Sequence, residues 1–155
     1  MVVGSDHAAA AAKQIVMAEL AELGVRAADI GSDGSESVDY PDYAAKVARR
    51  VASGKADRGI LLCGTGIGMS IAANKVSGVR AALVHDVTTA RMSRLHNDAN
   101  VLALGGGLLG ERLLREIVAV WLSTEFEGGR HQRRVDKITR IEDVEKPRGR
   151  GRAPE

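Results

Sequence analysis

The sequence predicts an α/β protein built on a parallel sheet with helices on both faces. Short apolar runs alternate with stretches of helical periodicity along the chain. Most of these runs are continuously apolar, as strands buried on both faces must be. The 155 residues are 45% hydrophobic, enough for one domain with a sizeable core.

The elements follow in order. Met1–Gly4 is the first strand. Ala8–Leu23 is a helix, with Ala12, Ile15, Val16, Leu20 and Leu23 on one stripe and Gly24 as its stop. Arg26–Ile30 is the second strand, and Pro41–Ala52 a helix with proline in its first turn. Gly59–Cys63 and Gly68–Lys75 form the third strand and its helix. Arg80–Val84 and Thr88–Leu95 form the fourth pair. Val101–Leu104 is the fifth strand. Leu109–Leu122 sets Leu109, Leu113, Ile117, Val120 and Trp121 at helical spacing, and a last helix covers Arg130–Ile141. Strand–helix alternation of this kind yields a five-stranded parallel sheet. No internal repeat is present.

Composition narrows the setting. Aromatic residues are 3%, so the core rests on aliphatic side chains. No apolar run approaches the roughly 18 residues of a membrane span. The opening Met1-Val2-Val3-Gly4 lacks the basic and apolar regions of a signal peptide. One cysteine permits no intramolecular disulfide, and a cytoplasmic location is expected. The net charge of +2 comes from residues 146–155, which carry four basic side chains and one acidic. Residues 1–145 hold 18 basic and 19 acidic side chains and form the expected domain. The Pro/Gly/Arg tail is expected to be disordered. Four charges without interleaved aromatics do not make a nucleic-acid arm.

In parallel sheets of this type ligands bind outside the carboxyl ends of the strands. That rule selects Ser5, Asp6 and His7, then Gly31, Ser32 and Asp33, then Cys63 to Gly68, then His85 and Asp86. Cys63 to Gly68 reads Cys-Gly-Thr-Gly-Ile-Gly. Such a turn lets backbone N–H groups converge on an anion at a helix N-terminus, where the same field favours a thiolate. It is neither a Walker loop, lacking Gly-Lys-Ser/Thr, nor a dinucleotide fingerprint. A lone cysteine is also often just a small buried hydrophobe. Asp6 suits a helix N-cap as well as a site, and His96-Asn97-Asp98 suits a helix C-terminus. Arg130 and Arg134 lie four apart, so a helix sets both guanidinium groups on one face, as a phosphate ligand needs. No His/Cys/Asp/Glu spacing suggests a metal site.

Together the motifs resemble the ribose-5-phosphate isomerase B family, grouped with the galactose-6-phosphate isomerase subunits. They are GSDHA at 4–8, SVDYPDYA at 37–44, CGTGIGMSIAANKV at 63–76, RLHNDANVLALGG at 94–106 and EGGRHQRRVDKI at 127–138. The resemblance implies a Rossmann-like α/β/α sandwich that forms a homodimer or a tetramer, each active site completed by the partner subunit. It implies aldose–ketose isomerisation of a sugar phosphate without metal or organic cofactor. Cys63 would be the base at C2. Gly64, Thr65, Gly66, Ile67 and Gly68 would face the enediolate oxygen, with Thr65 as a proton relay. His96 would open the furanose ring, with Asp6 on the ring side and Asn97 on sugar oxygens. His7, Arg130 and Arg134 would hold the phosphate, and His96 and Asn97 would come from the neighbouring subunit.

Some members use a glutamate just after the third glycine, where this chain has Met69, so the burden falls on Cys63. Gly107 stands where many relatives carry an arginine that reaches phosphate, which bears on substrate length. The expected substrate pair is ribose 5-phosphate and ribulose 5-phosphate. The alternatives are a six-carbon sugar phosphate, such as allose 6-phosphate or galactose 6-phosphate, and a non-catalytic sugar-phosphate binder. Retention of Cys63, Thr65 and His96 together argues against the last.

Overall fold

The structure, a computed structural model, describes residues 1–144. The expected tail at 146–155 lies outside the described residues. Five strands form one sheet in the order β2-β1-β3-β5-β4. They are β1 (Val2–Ser5), β2 (Ala28–Asp29), β3 (Gly59–Cys63), β4 (Ala81–Val84) and β5 (Val101–Gly105). Every neighbouring pair is parallel. The helices are α1 (Ala10–Glu22), α2 (Tyr40–Ala52), α3 (Ile67–Ala73), α4 (Val87–Leu95), α5 (Glu111–Ser123) and α6 (Arg130–Val144). The α/β/α sandwich with a five-stranded parallel sheet is therefore as expected.

Successive strand residues point to opposite faces, and the two cores divide accordingly. Val3, Ile60, Leu62, Leu102 and Leu104 pack with Val16 and Leu20 of α1, Ala90 of α4 and Leu114, Ile117 and Trp121 of α5. Val2, Leu61, Cys63 and Val101 pack on the other face with Val47 of α2 and Met69 of α3. Burial on both faces is why β1, β3 and β5 lack alternation.

The differences from expectation sit at edges and ends. β2 is two exposed residues instead of five, because it is an edge strand that pairs only with β1. β4, the other edge, buries Val84 fully and leaves Leu83 exposed. The first helical segment opens with a 3-10 turn at His7–Ala9 before α1. Leu23 caps α1 and is exposed, while Gly24 takes the left-handed conformation expected of a stop. α5 starts at Glu111, and its buried stripe is Leu114, Ile117, Val118 and Trp121, with Leu109, Leu113 and Val120 only partly covered.

The strand order reverses at β1, which has β2 on one side and β3 on the other. A crevice forms where chain connections leave such a point in opposite directions. The residues just past β1 and β3 are Asp6-His7 and Gly64 onward.

Candidate active site

Cys63 is the last residue of β3, and its side chain faces the α2/α3 core at 5% exposure. The plain reading of a small buried hydrophobe is thus half right. Its sulfur, however, accepts the Gly66 N–H at 3.1 Å. Gly66 caps α3 with φ +78°, and a Cβ there would lie 2.8 Å from the Leu104 carbonyl carbon. Only glycine fits that turn. Thr65 Oγ1 accepts the Ile67 N–H at 3.3 Å. Two N–H groups of the turn are therefore spent on Cys63 and Thr65, and those of Gly64, Thr65 and Gly68 have no partner among the described residues. The turn is buttressed from β5, since Gly106 and Gly107 donate to the carbonyls of Cys63 and Gly64 at 2.8 and 3.0 Å. His85 Nε2 lies 3.1 Å from the Thr65 carbonyl. Met69 is fully buried in the core and offers no proton acceptor to the turn.

Asp6 follows β1 and caps the 3-10 turn, its carboxylate accepting the Ala9 N–H at 3.2 Å. Its backbone N–H reaches the Leu62 carbonyl at 3.2 Å, so β1 and β3 bring Asp6 beside the Cys63 turn. His7 Nδ1 accepts the Val38 N–H at 3.1 Å. In the neutral ring the proton then sits on Nε2, which is left as a fixed donor. The loop that supplies Val38 is held from beneath by Lys13, a buried ammonium 2.8 Å from Asp29 and 2.7 Å from the Ser32 carbonyl. Tyr40 lies over the turn, close enough that a Cβ on Gly68 would meet its ring at 2.6 Å.

The second group of expected residues lies at the opposite, amino-terminal ends of the strands. His96 is the C-cap of α4 and precedes β5, whereas Cys63 pairs with the last residue of β5, Gly105. The five residues of β5 put roughly 16 Å between those ends at about 3.3 Å per residue. Arg94 and Arg80 hold the turn after His96 through Asp98, at 2.8 and 2.9 Å. Asp98 takes a left-handed φ of 45°, which Asp tolerates. Asn97 is exposed beside it.

His131, on the first turn of α6, stacks on His96 with 4.1 Å between ring centroids and 3° between planes. Arg130 Nε donates to His131 Nε2 at 3.2 Å. Arg130 and Arg134 are one helical turn apart and exposed, as expected. The structure thus gathers Asp6, His7 and Cys63 to Gly68 at the carboxyl ends of the strands, and His96, Asn97, Arg130 and Arg134 at the amino ends.

His96, Glu127 and His131 are a group of possible metal ligands that the chain spacing did not reveal, with ligating atoms within 4.8 Å of one another. The two ring planes are parallel and stacked, so in-plane lone pairs do not meet at one ion, and His131 Nε2 already accepts from Arg130. Glu127 Oε2 stands 3.7 Å from His96 Nε2 and 3.8 Å from His131 Nε2. Burial first, then the charges of His96, Arg130 and Arg134, push the His131 imidazole below its usual value, while Glu127 opposes them. Glu127, His131, Tyr40 and Lys13 were not singled out from sequence. The first three stood inside the recognised motifs; Lys13 had no signal beyond being a charge on an otherwise apolar helical face.

Comparison with known proteins now gives this arrangement its place. A family model described as Ribose/Galactose Isomerase matches residues 1–138. The chain is 50% identical to ribose-5-phosphate isomerase B of Escherichia coli over 139 residues, covering 90% of this chain and 93% of that one. It is 45% identical to D-erythrulose-4-phosphate isomerase of Pectobacterium atrosepticum, over 93% of this chain and 95% of that one. The solved ribose-5-phosphate isomerase B of Clostridium thermocellum superposes with a TM-score of 0.90 at 52% identity, covering 92% and 97% of the two chains. The protein is a sugar-phosphate isomerase. It belongs to the ribose/galactose isomerase family, in the company of the ribose-5-phosphate isomerases B. No helix among the described residues is long and apolar enough to cross a membrane.

Proposed function

We propose that the protein interconverts ribose 5-phosphate and ribulose 5-phosphate through an enediolate, with Cys63 as base. The observation that carries this reading is the Cys63 sulfur accepting the Gly66 N–H inside the glycine turn, beside N–H groups without partners among the described residues. A sugar C2 proton is weakly acidic, so its removal needs a placed base and a nearby sink for the developing charge. The thiolate takes the C2 proton as the aldehyde oxygen becomes the enediolate oxygen. The N–H groups of the turn stabilise that oxygen, Thr65 relays a proton between O1 and O2, and the thiol returns its proton to C1. The chemistry balances without an added metal or redox partner. An unpaired cysteine in this role suits a reducing cytoplasm.

His96 would open the furanose ring, aided by Asp6, while Asn97 contacts sugar oxygens and His7, Arg130 and Arg134 bind phosphate. A pentose phosphate does not bridge the two ends of the strands of one sheet. The reading therefore includes a homodimer in which each copy brings its His96 end to the other's Cys63 end. What supports it is apolar surface beside the turn: Ile67 and Ile71, four apart on α3, are 50% and 57% exposed, and Leu83 of β4 touches the Gly66 position. At the other end Ile138 and Ile141 of α6 line an open groove of about 470 Å³ with Asn97. Such patches are typical of association surfaces.

The test is a substrate panel of four-, five- and six-carbon aldose and ketose phosphates, each after exhaustive chelation. The reading predicts the highest kcat/KM for ribose 5-phosphate, by about tenfold or more, undiminished by EDTA. A preference for erythrulose 4-phosphate or a six-carbon substrate would overturn the substrate assignment.

A further inference from the structure

We propose that His131 is a positioning residue that locks the plane of the His96 imidazole and ties it to Arg130, so that ring-opening group and phosphate ligand move as one unit. This rests on the reading of His96 as the ring-opening group. His96 ends a helix at a partly exposed position, where an imidazole left alone would sample several rotamers. His131 removes that freedom. Its ring is 3% exposed and lies flat on His96, with 3° between planes.

The backbone is built to hold this pair. Glu127 N–H donates to the Leu95 carbonyl at 3.1 Å, pinning the approach to α6 against the end of α4. Gly128 and Gly129 then both turn through left-handed φ, +70° and +55°, where added Cβ atoms would meet nothing within 4 Å. These glycines serve chain direction, not space, and they deliver His131 into the stack. The ring edge accepts from Arg130 Nε at 3.2 Å, so the neutral ring carries its proton on Nδ1. One face of His131 thus fixes His96 and one edge fixes Arg130. The Glu127 carboxylate faces both imidazoles, 3.7 Å from His96 Nε2 and 3.8 Å from His131 Nε2.

Ring opening moves one proton to the ring oxygen and one from the anomeric hydroxyl. It depends on where the imidazole stands relative to a substrate anchored by its phosphate. Small misplacements of such a group lower rates by up to about 100-fold. Proton exchange at C1 of ribulose 5-phosphate makes no such demand, because that ketose has no ring to open.

The experiment uses the full chain, with His131→Ala and His131→Phe measured beside the wild type. Isomerisation of ribose 5-phosphate gives kcat and KM. Deuterium uptake at C1 of saturating ribulose 5-phosphate in D2O gives enediolate formation alone. His131→Ala should lower kcat with ribose 5-phosphate roughly 10–100-fold and raise KM, with C1 exchange within about threefold of wild type. His131→Phe keeps a stacked ring but no acceptor, so it should recover most of kcat while KM stays raised. Equal losses of isomerisation and exchange in His131→Phe, or two variants indistinguishable from wild type, would overturn the proposal. Turnover of ribose 5-phosphate by the wild type is read in the same assay, so a failure of the substrate assignment shows there and not in the variants.

Discussion

The Gly66 N–H points at the Cys63 sulfur from 3.1 Å, three residues further along the chain. This contact exists only because Gly66 adopts φ +78° between the end of β3 and the start of α3. It makes the sulfur a hydrogen-bond acceptor in a place otherwise packed with Val2, Met69 and Ala73.

Cys63→Ala should lower kcat with ribose 5-phosphate by roughly 10²–10⁴-fold while KM changes little, since general base catalysis contributes about that much. Iodoacetamide should inactivate the wild type, and substrate should protect. A variant within tenfold of wild type would remove Cys63 from the base role.

Gly66→Ala should destabilise the fold by about 2–4 kcal/mol, from the left-handed backbone and from contact with Leu104 main chain. Leu83 Cδ1, 2.6 Å from the added Cβ, can move aside; the Leu104 carbonyl cannot. Gly64→Ala is the control, because its Cβ would meet nothing within 4 Å. Urea unfolding of both variants checks the difference, and equal stabilities would contradict the account of the turn.

His131 predicts a pH dependence of stability. Burial and the positive charges around it hold its folded value below the usual 6.5, so the folded chain binds fewer protons there than the unfolded chain. Stability on this account falls as pH drops through about 6.5 and levels off below the folded value. The groups facing the ring are His96 from α4, Glu127 before α6, and Arg130 and Arg134 on α6. His131→Phe removes the titration, so the wild type should lose stability relative to it between about pH 7.5 and 5.5. A relative gain on acidification would carry the wrong sign.

The layered fold was legible because β1, β3 and β5 are buried on both faces and so read as unbroken apolar runs. Edge strands were read less well. β2 keeps only Ala28 and Asp29, both exposed and paired with β1 alone, so burial gives it no apolar run. In α5 Ile117 and Trp121 are buried as the period predicts, while Leu114 and Val118 take the places expected of Leu113 and Val120. At the candidate site, the rule of carboxyl strand ends found Asp6, His7 and the Cys63 turn from sequence alone. It had no means of finding His131, whose part depends on a stack between residues 35 positions apart. Lys13 was hidden for a related reason. A lysine on an apolar stripe reads as solvated until Asp29 and the Ser32 carbonyl are seen to enclose it.

The separation of Cys63 from His96 along the strands is the central claim, and subunit complementation tests it most directly. Cys63→Ala and His96→Ala chains are each purified, shown to be impaired alone, then mixed under conditions of confirmed subunit exchange. If each site takes Cys63 from one copy and His96 from the other, every mixed dimer holds one intact site. Random exchange should then restore roughly a quarter of the wild-type site count. Activity no higher than the sum of the two parents, with exchange confirmed, would contradict a shared site and place both residues within one chain.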